Sequence, residues 1–173
     1  MYFLKQYTPE GLKKGLPYLH QAVELDPANA RAYAGLALGY ITIGHGIGHD
    51  AFPKALAAAR QALVLDNYLG EAWAALGEAQ LYHDYDWEEA DRSFKRALQL
   101  APSLDHAHGH YAYLLALLGR WDEVWPALDK AMELSPLDPS WTFFAGWLYM
   151  VVEDFDKAEA LMLESLELTP GFP

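Results

Sequence analysis

The sequence contains no cysteine among its 173 residues, which excludes a disulfide framework and thiol chemistry. No apolar run approaches the roughly 20 residues that span a bilayer. The opening Met1–Lys5 segment is not followed by the long apolar region and small-residue cleavage site of a secretory signal. These absences predict a cytoplasmic protein that does not cross a membrane.

Basic residues are scarce, with 12 Lys and Arg against 24 Asp and Glu and a formal net charge of −12. Nucleic-acid binding depends on clustered basic side chains. The one tight basic group, Arg92, Lys95 and Arg96, lies beside Glu88 and Glu89, as on a solvated helix face. The composition therefore predicts that nucleic acid is not a partner.

Catalytic groups are scarce as well. The Gly44–Gly48 stretch is rich in glycine, but it lacks the strand, the Lys and the Ser or Thr of a phosphate-binding loop. The spacing fixes no nucleophile beside a base. The sequence predicts a protein that is not an enzyme and carries no cofactor.

What the sequence does contain is a repeat. Trp73, Leu76 and Gly77 are followed by Ala90, Phe94, Ala97 and Pro102, a pattern that predicts two helices and a proline after the second. Pro102, Pro136 and Pro170 are 34 residues apart. Matching positions in the neighbouring repeats are Tyr33, Leu36, Ala37, Tyr40, Ala112, Leu115, Leu128, Ala131, Ala145, Gly146, Ala158 and Met162.

This spacing resembles the signature of tetratricopeptide repeat (TPR) proteins. Two features depart from it: Gln80 stands where the signature has Tyr, and the gap from Gln80 to Ala90 is one residue longer. The resemblance implies an all-α fold of antiparallel helix pairs in a right-handed superhelix with a concave groove. About four and a half repeats are expected, at 1–27 (partial), 28–67, 68–102, 103–136 and 137–170.

The second repeat is about six residues longer than the others. We expect its first helix to end near Thr42 and a loop to follow over 43–50. Three glycines in this segment allow unusual backbone angles. The loop is either a tolerated surface insertion or a functional segment. Thr8 and Asp86 are expected to cap helices, and Gly119 to end one.

Several short stretches are similar to the TPR tails of bacterial multidomain regulators: Thr8–Leu12, Ala22–Pro27, Ala32–Ala37 and Tyr85–Ala97. Those tails follow a nucleotide cyclase, a winged-helix or a Ser/Thr kinase domain. The likeness implies, as an alternative, a sensor or self-association tail in signalling. Because no capping helix follows Pro170, we expect either an excerpt of a longer protein or a homodimer through the C-terminal repeat.

The likeness to TPR proteins also implies that the first helix of each pair lines the groove. The groove is expected to bind a peptide or helix of a protein partner through apolar anchors. Glu71 and Glu78 argue against an acidic ligand, for which Arg31 is the sole basic contact. As an alternative, Phe143, Phe144 and Trp147 pack against a further repeat. The candidate groove residues are Arg31, Leu38, Glu71, Glu78, Tyr82, His106, His110, Tyr113, Phe143, Trp147 and Met150.

Histidines raise the question of a metal. His106 and His110 share a helix face at a spacing of four residues. No third ligand is fixed by the sequence, although Glu71 or Glu78 is a geometric option. We interpret these histidines, and the pair His45 and His49, as polar lining and predict no metal site.

Overall fold

The computed structural model describes residues 9–46 and 48–168, and within these residues all regular structure is helical. The helices are α1 (Pro9–Leu25), α2 (Ala30–Gly46), α3 (Phe52–Leu65), α4 (Gly70–Ala79), α5 (Trp87–Leu100), α6 (Asp105–Leu117), α7 (Trp121–Leu134), α8 (Pro139–Val151) and α9 (Phe155–Leu168). A 3₁₀ turn, His49–Ala51, precedes α3, and a π-helical turn, Gln80–Asp84, follows α4. The predicted all-α fold is confirmed.

The helices pack as consecutive pairs: α2 with α3, α4 with α5, α6 with α7, and α8 with α9. In the second of these pairs, Gly70 at the start of α4 lies against Ala101, whereas Gly77 lies against the ring of Phe94. Later positions on α4 thus meet earlier positions on α5, so the two helices are antiparallel. A Cβ on Gly77 would be 3.2 Å from the Phe94 ring, which explains the glycine of the repeat pattern.

The second helix of each pair ends on a leucine, and a tight turn leads to the next pair. The backbone amide at each described turn donates to a carbonyl four residues back, as from Asp66 to Ala62 at 2.8 Å and from Ser135 to Ala131 at 3.0 Å. Proline is the second residue after Leu25, Leu100 and Leu134, and Asn67 makes the same turn without it.

Helix ends follow the expected local signals. The carboxylate of Asp86 accepts a hydrogen bond from the Glu89 amide at 3.2 Å and so caps α5. Gly119 has a φ of +71° at the end of α6, a left-handed conformation that glycine adopts at low cost. Thr8, the other expected cap, lies outside the described residues.

The expected loop over 43–50 is partly wrong, because α2 continues through Gly46. Gly44 lets the ring of Phe52 approach α2: a Cβ there would be 2.7 Å from the ring. The ring of His45 packs edge-on against Phe52 and Tyr82, with centroid distances of 5.4 and 4.4 Å. Phe52 is buried at this contact, whereas Tyr82 is half-buried and His45 stays exposed.

The π-helical turn accommodates the extra residue between Gln80 and Ala90. The amide of Tyr85 donates to the carbonyl of Gln80, five residues back, and Tyr85 then takes a φ of +54°. Buried Gln80, at the position of the signature Tyr, accepts a hydrogen bond of 2.7 Å from the hydroxyl of buried Ser93 on α5. A polar pair thus joins the two helices.

Replacing Gln80 with leucine should lower the free energy of unfolding by about 2 kcal/mol, because the Ser93 hydroxyl loses its buried acceptor. The double variant Q80L/S93A removes both polar groups and should regain most of that loss. Urea unfolding of the two variants and of S93A alone measures the coupling. If the double variant is as unstable as the sum of the single ones, the hydrogen bond does not link the helices.

The chain divides into two compact units, with the boundary between Pro102 and Ser103. Unit 1 contains α1 to α5, and its core is rich in alanine, including the fully buried Ala55, Ala59 and Ala75 around Phe52. Unit 2 contains α6 to α9, with Leu114, Leu128 and Leu148 fully buried. None of the described helices combines the length and the hydropathy needed to cross a membrane.

Candidate functional site

Unit 2 carries a cluster of aromatic rings formed by α6 and α8. Tyr113 of α6 meets Phe144 edge-on with a centroid distance of 5.7 Å and Trp147 at 6.3 Å. Phe144 and Trp147 stack at 5.8 Å with 18° between their planes. Because each ring contacts the other two, the three side chains form one continuous apolar surface. We call Tyr113, Phe144 and Trp147 the aromatic cluster.

A partly exposed apolar stripe on α8 continues this cluster. Phe143, Trp147 and Met150 follow one another at spacings of four and three residues, which places them on one helix face. Their exposed fractions are 36%, 38% and 42%. Tyr113 and Trp147 were predicted from the repeat pattern to share a surface, and the structure brings them into contact. The stripe therefore offers apolar area at a surface with a fixed shape.

Trp141, at the N-terminal end of α8, sets the approach of α6 to α8. A Cβ on Gly109 would be 2.2 Å from its ring, so the indole lies directly on the α6 backbone. The ring of His110 packs edge-on against the same indole at 5.4 Å. His110 is therefore held by an aromatic neighbour. The absence of a side chain at Gly109 is what lets Trp141 fit.

His106 belongs to a polar cluster at the start of α6. Its Nδ1 lies 3.8 Å from a carboxylate oxygen of Asp105, and the hydroxyl of Ser135 donates to the other oxygen at 2.6 Å. The neighbouring His106 holds the pKa of Asp105 well below its usual range, opposed by partial burial and assisted by the hydrogen bond from Ser135. The Ser135 bond joins the start of α6 to the end of α7 across 30 residues.

Lowering the pH should reduce the stability of unit 2, because the carboxylate of Asp105 becomes protonated. A depressed pKa means that the unfolded chain takes up the proton first, so the stabilisation is complete above the ordinary value of about 4 and is lost as the pH falls through the folded value. The stability of the wild type should therefore decline below about pH 4 more steeply than that of D105N. Unfolding curves from pH 5 to about 2 measure the slopes. D129N, at an exposed position of α7, is the control; equal slopes for all three proteins would contradict the prediction.

In unit 1 the predicted groove residues differ in accessibility. Arg31 of α2 is exposed, Leu38 and Glu71 are half-buried, and Glu78 is buried. Tyr82 is half-buried in the π-helical turn, where its ring contacts His45 and stacks near Phe52. A side-chain nitrogen of His45 and a carboxylate oxygen of Glu78 lie within 4.8 Å of each other.

The histidines of the two units lie in different surroundings. Neither the described residues of unit 1 nor those of unit 2 bring together, on their own, three His, Asp or Glu ligand atoms. In unit 2, His106 faces Asp105 and His110 faces Trp141. In unit 1, His45 contacts aromatic rings.

One aromatic arrangement was missed from the sequence. Trp125 of α7 stacks on Tyr149 of α8 at 4.4 Å with 15° between the planes. The Nζ of Lys157 lies 4.9 Å from the centre of the same Tyr149 ring. Tyr149 stands at the position of the signature Tyr, but Trp125 has Asp91 and Glu159 at the matching positions of the neighbouring repeats. Only the packing of α7 on α8 therefore shows that they meet.

Comparison with known proteins agrees with this architecture. Crystal structures of similar fold include a thermophilic TPR protein from Thermus thermophilus, with a TM-score of 0.77 and 20% identity, covering 98% of this chain and 89% of that one. A second is YrrB, a TPR protein with an unusual peptide-binding site, with a TM-score of 0.62 and 22% identity, covering 94% and 80%. The chain has the fold of tetratricopeptide-repeat proteins.

Sequence comparison supports the same fold more locally. Residues 72–108 match the family model described as "Tetratricopeptide repeat", which covers the stretch from Trp73 to Pro102 that carries the signature. A human relative, Tetratricopeptide repeat protein 13, is 28% identical over 138 residues, or 80% of this chain. The chain spans only 16% of the length of that relative.

Proposed function

We propose that the chain is a non-catalytic protein-interaction module and that unit 2 binds a peptide or helix on the aromatic cluster and the α8 stripe. The observation that carries the proposal is the partial exposure of Phe143, Trp147 and Met150 beside rings that are already fixed. Aromatic side chains in rigid surroundings dominate binding energies at interfaces because little conformational freedom is lost when they are covered.

The form of the ligand follows from the spacing of the stripe. Anchors at intervals of four and three residues on one helix match the i, i+3, i+4 and i+7 anchors of an amphipathic helix, or alternate side chains of an extended peptide. YrrB, which shares the fold, is described as having a peptide-binding site. In unit 1, we propose that exposed Arg31 and half-buried Glu71 make polar contacts with a bound peptide.

Selection from a peptide library tests the proposal, with wild type, Trp147→Asp and Val64→Asp as targets. Trp147→Asp should lower the affinity for enriched peptides about 30-fold, because truncating a central Trp costs about 2 kcal/mol. Val64→Asp makes the same change of charge at an exposed position of α3 and should leave the affinity unchanged. Peptides that bind wild type and Trp147→Asp equally well would refute this site.

A further inference from the structure

A second apolar surface lies on α9. Phe155, Leu163 and Leu166 are 64%, 55% and 46% exposed, and their spacings of eight and three residues place them on one face of the helix. Glu159, also exposed, lies on the same face between Phe155 and Leu163. Buried Ala158 and Ser165 mark the adjoining side of the helix, which packs on α8. We call Phe155, Glu159, Leu163 and Leu166 the α9 face.

The preceding helix pair, α6 and α7, shows how the equivalent positions pack in the same unit. The residues 34 positions earlier on α7 are half-buried Trp121, Trp125 and Met132 and exposed Asp129. Trp125 is covered by Tyr149, a residue of the next helix pair. The position is thus one at which unit 2 already packs a helix. On α9 the counterpart of Trp125 is Glu159, which is exposed.

Glu159 replaces Trp125 at the centre of this face. It forms no ion pair with any residue that the structure describes. Asp156 and Glu167 flank the apolar residues along one edge of the helix and are exposed too. A helix that covers the apolar residues without a cation would leave Glu159 desolvated and unpaired, which is costly.

Charge decides between the possible occupants. From Ser103 onward the sequence has twelve acidic residues and three basic ones. In a symmetric dimer through this face, the acidic edge of one copy would meet that of the other, and like charges at such distances repel. A basic helix instead pairs its cations with Glu159 and the acidic edge while its apolar side covers Phe155, Leu163 and Leu166.

We propose that the α9 face docks a cationic amphipathic helix of a partner protein, with an apolar stripe flanked by Lys or Arg. This site goes beyond the peptide site on α8, because it uses another helix and another charge pattern. Glu159 selects the charge of the partner, and the three apolar residues supply the contact area.

Two synthetic helical peptides of about 18 residues, or five turns, test the proposal. Both carry leucines at i, i+3, i+4 and i+7, and their polar faces are built from lysine in one and glutamate in the other. Fluorescence anisotropy should show binding of the lysine peptide alone. Glu159→Lys should weaken it at least about tenfold, because an attractive pair becomes a repulsive one. High salt should also weaken it, since the Debye length falls to about 3 Å at 1 M.

Glu164→Lys is the matched control, because it changes the net charge by the same amount at a position farther around α9. It should lower the affinity much less than Glu159→Lys. Equal losses in the two variants would mean non-specific attraction and overturn the proposal. Binding that is lost in Trp147→Asp but kept in Glu159→Lys would assign the peptide to the α8 site instead, leaving the proposed function intact. A mass that doubles with concentration and returns to that of a monomer in Leu163→Lys would show that a second copy is the occupant.

Discussion

Phe94→Ala is expected to lower the free energy of unfolding of unit 1 by about 3–5 kcal/mol, the usual loss for a buried Phe truncated to Ala. The Phe94 side chain has 0% exposure, and its ring lies flat against the backbone of Gly77. The cavity cannot be filled from α4, because Gly77 has no side chain to move into it. Urea unfolding followed by far-ultraviolet circular dichroism measures the loss.

Phe155→Ala is the matched control for that measurement, because it removes the same atoms from an exposed position on a helix. Its effect on unfolding should stay within about 0.5 kcal/mol. If the two substitutions cost the same, the ring of Phe94 does not hold α4 and α5 together. Since repeat units unfold as coupled segments, the transition of Phe94→Ala should also broaden or split, and the earlier step should belong to unit 1.

The fold could be predicted from the sequence because its signals are local and recur. The 34-residue spacing of the prolines fixed the phase of the helix pairs, and Asp86 and Gly119 marked helix ends through interactions within a few residues. Gly77 and Phe94 share one repeat, so their contact is part of the pattern. The likeness to the tails of bacterial regulators rests on short stretches and stays a prediction.

Other features could not be predicted, because they depend on contacts between residues that the repeat period does not relate to each other. The hydrogen bond between Gln80 and Ser93 replaces the signature Tyr with a different kind of contact. The contact of Gly44 with Phe52 keeps α2 helical through residues that look like a loop. The bond from Ser135 to Asp105 spans the whole of α6 and α7. Each arises only after the helices have packed.

The candidate site, too, could be predicted only in part from the sequence. Repeat positions predicted Tyr113 and Trp147 on one surface, and in the structure the centres of their rings are 6.3 Å apart. The pattern treated Glu78 as a groove residue, whereas it is buried. Phe144, considered only as packing, supplies the ring that joins Tyr113 to Trp147. The repeat pattern predicts on which face of its helix a residue lies, whereas the sizes of the neighbouring side chains determine whether the residue is accessible.

Gly109→Ala is also expected to have a large effect: it should lower the free energy of unfolding of unit 2 by about 3 kcal/mol. Alanine is the better helix former by about 1 kcal/mol, so propensity alone predicts a gain. The new Cβ would be 2.2 Å from the Trp141 ring, however, where carbon atoms prefer about 3.5–4.0 Å. The indole is too rigid to yield locally, so Trp141 or α8 must move, and overpacking of this kind costs up to about 3 kcal/mol or more.

Gly35→Ala separates the clash from the change in propensity. Gly35 also lies inside a helix, but its Cβ would meet the end of the flexible Leu19 side chain at 3.0 Å. This variant should be as stable as the wild type or slightly more so. G109A/W141L should recover stability relative to G109A, since the smaller side chain makes room. Because Trp141 borders His110 and packs against α6, its displacement in G109A should also weaken peptide binding at the aromatic cluster. A G109A protein that matches Gly35→Ala in both stability and binding would show that α6 and α8 are not held apart by this indole.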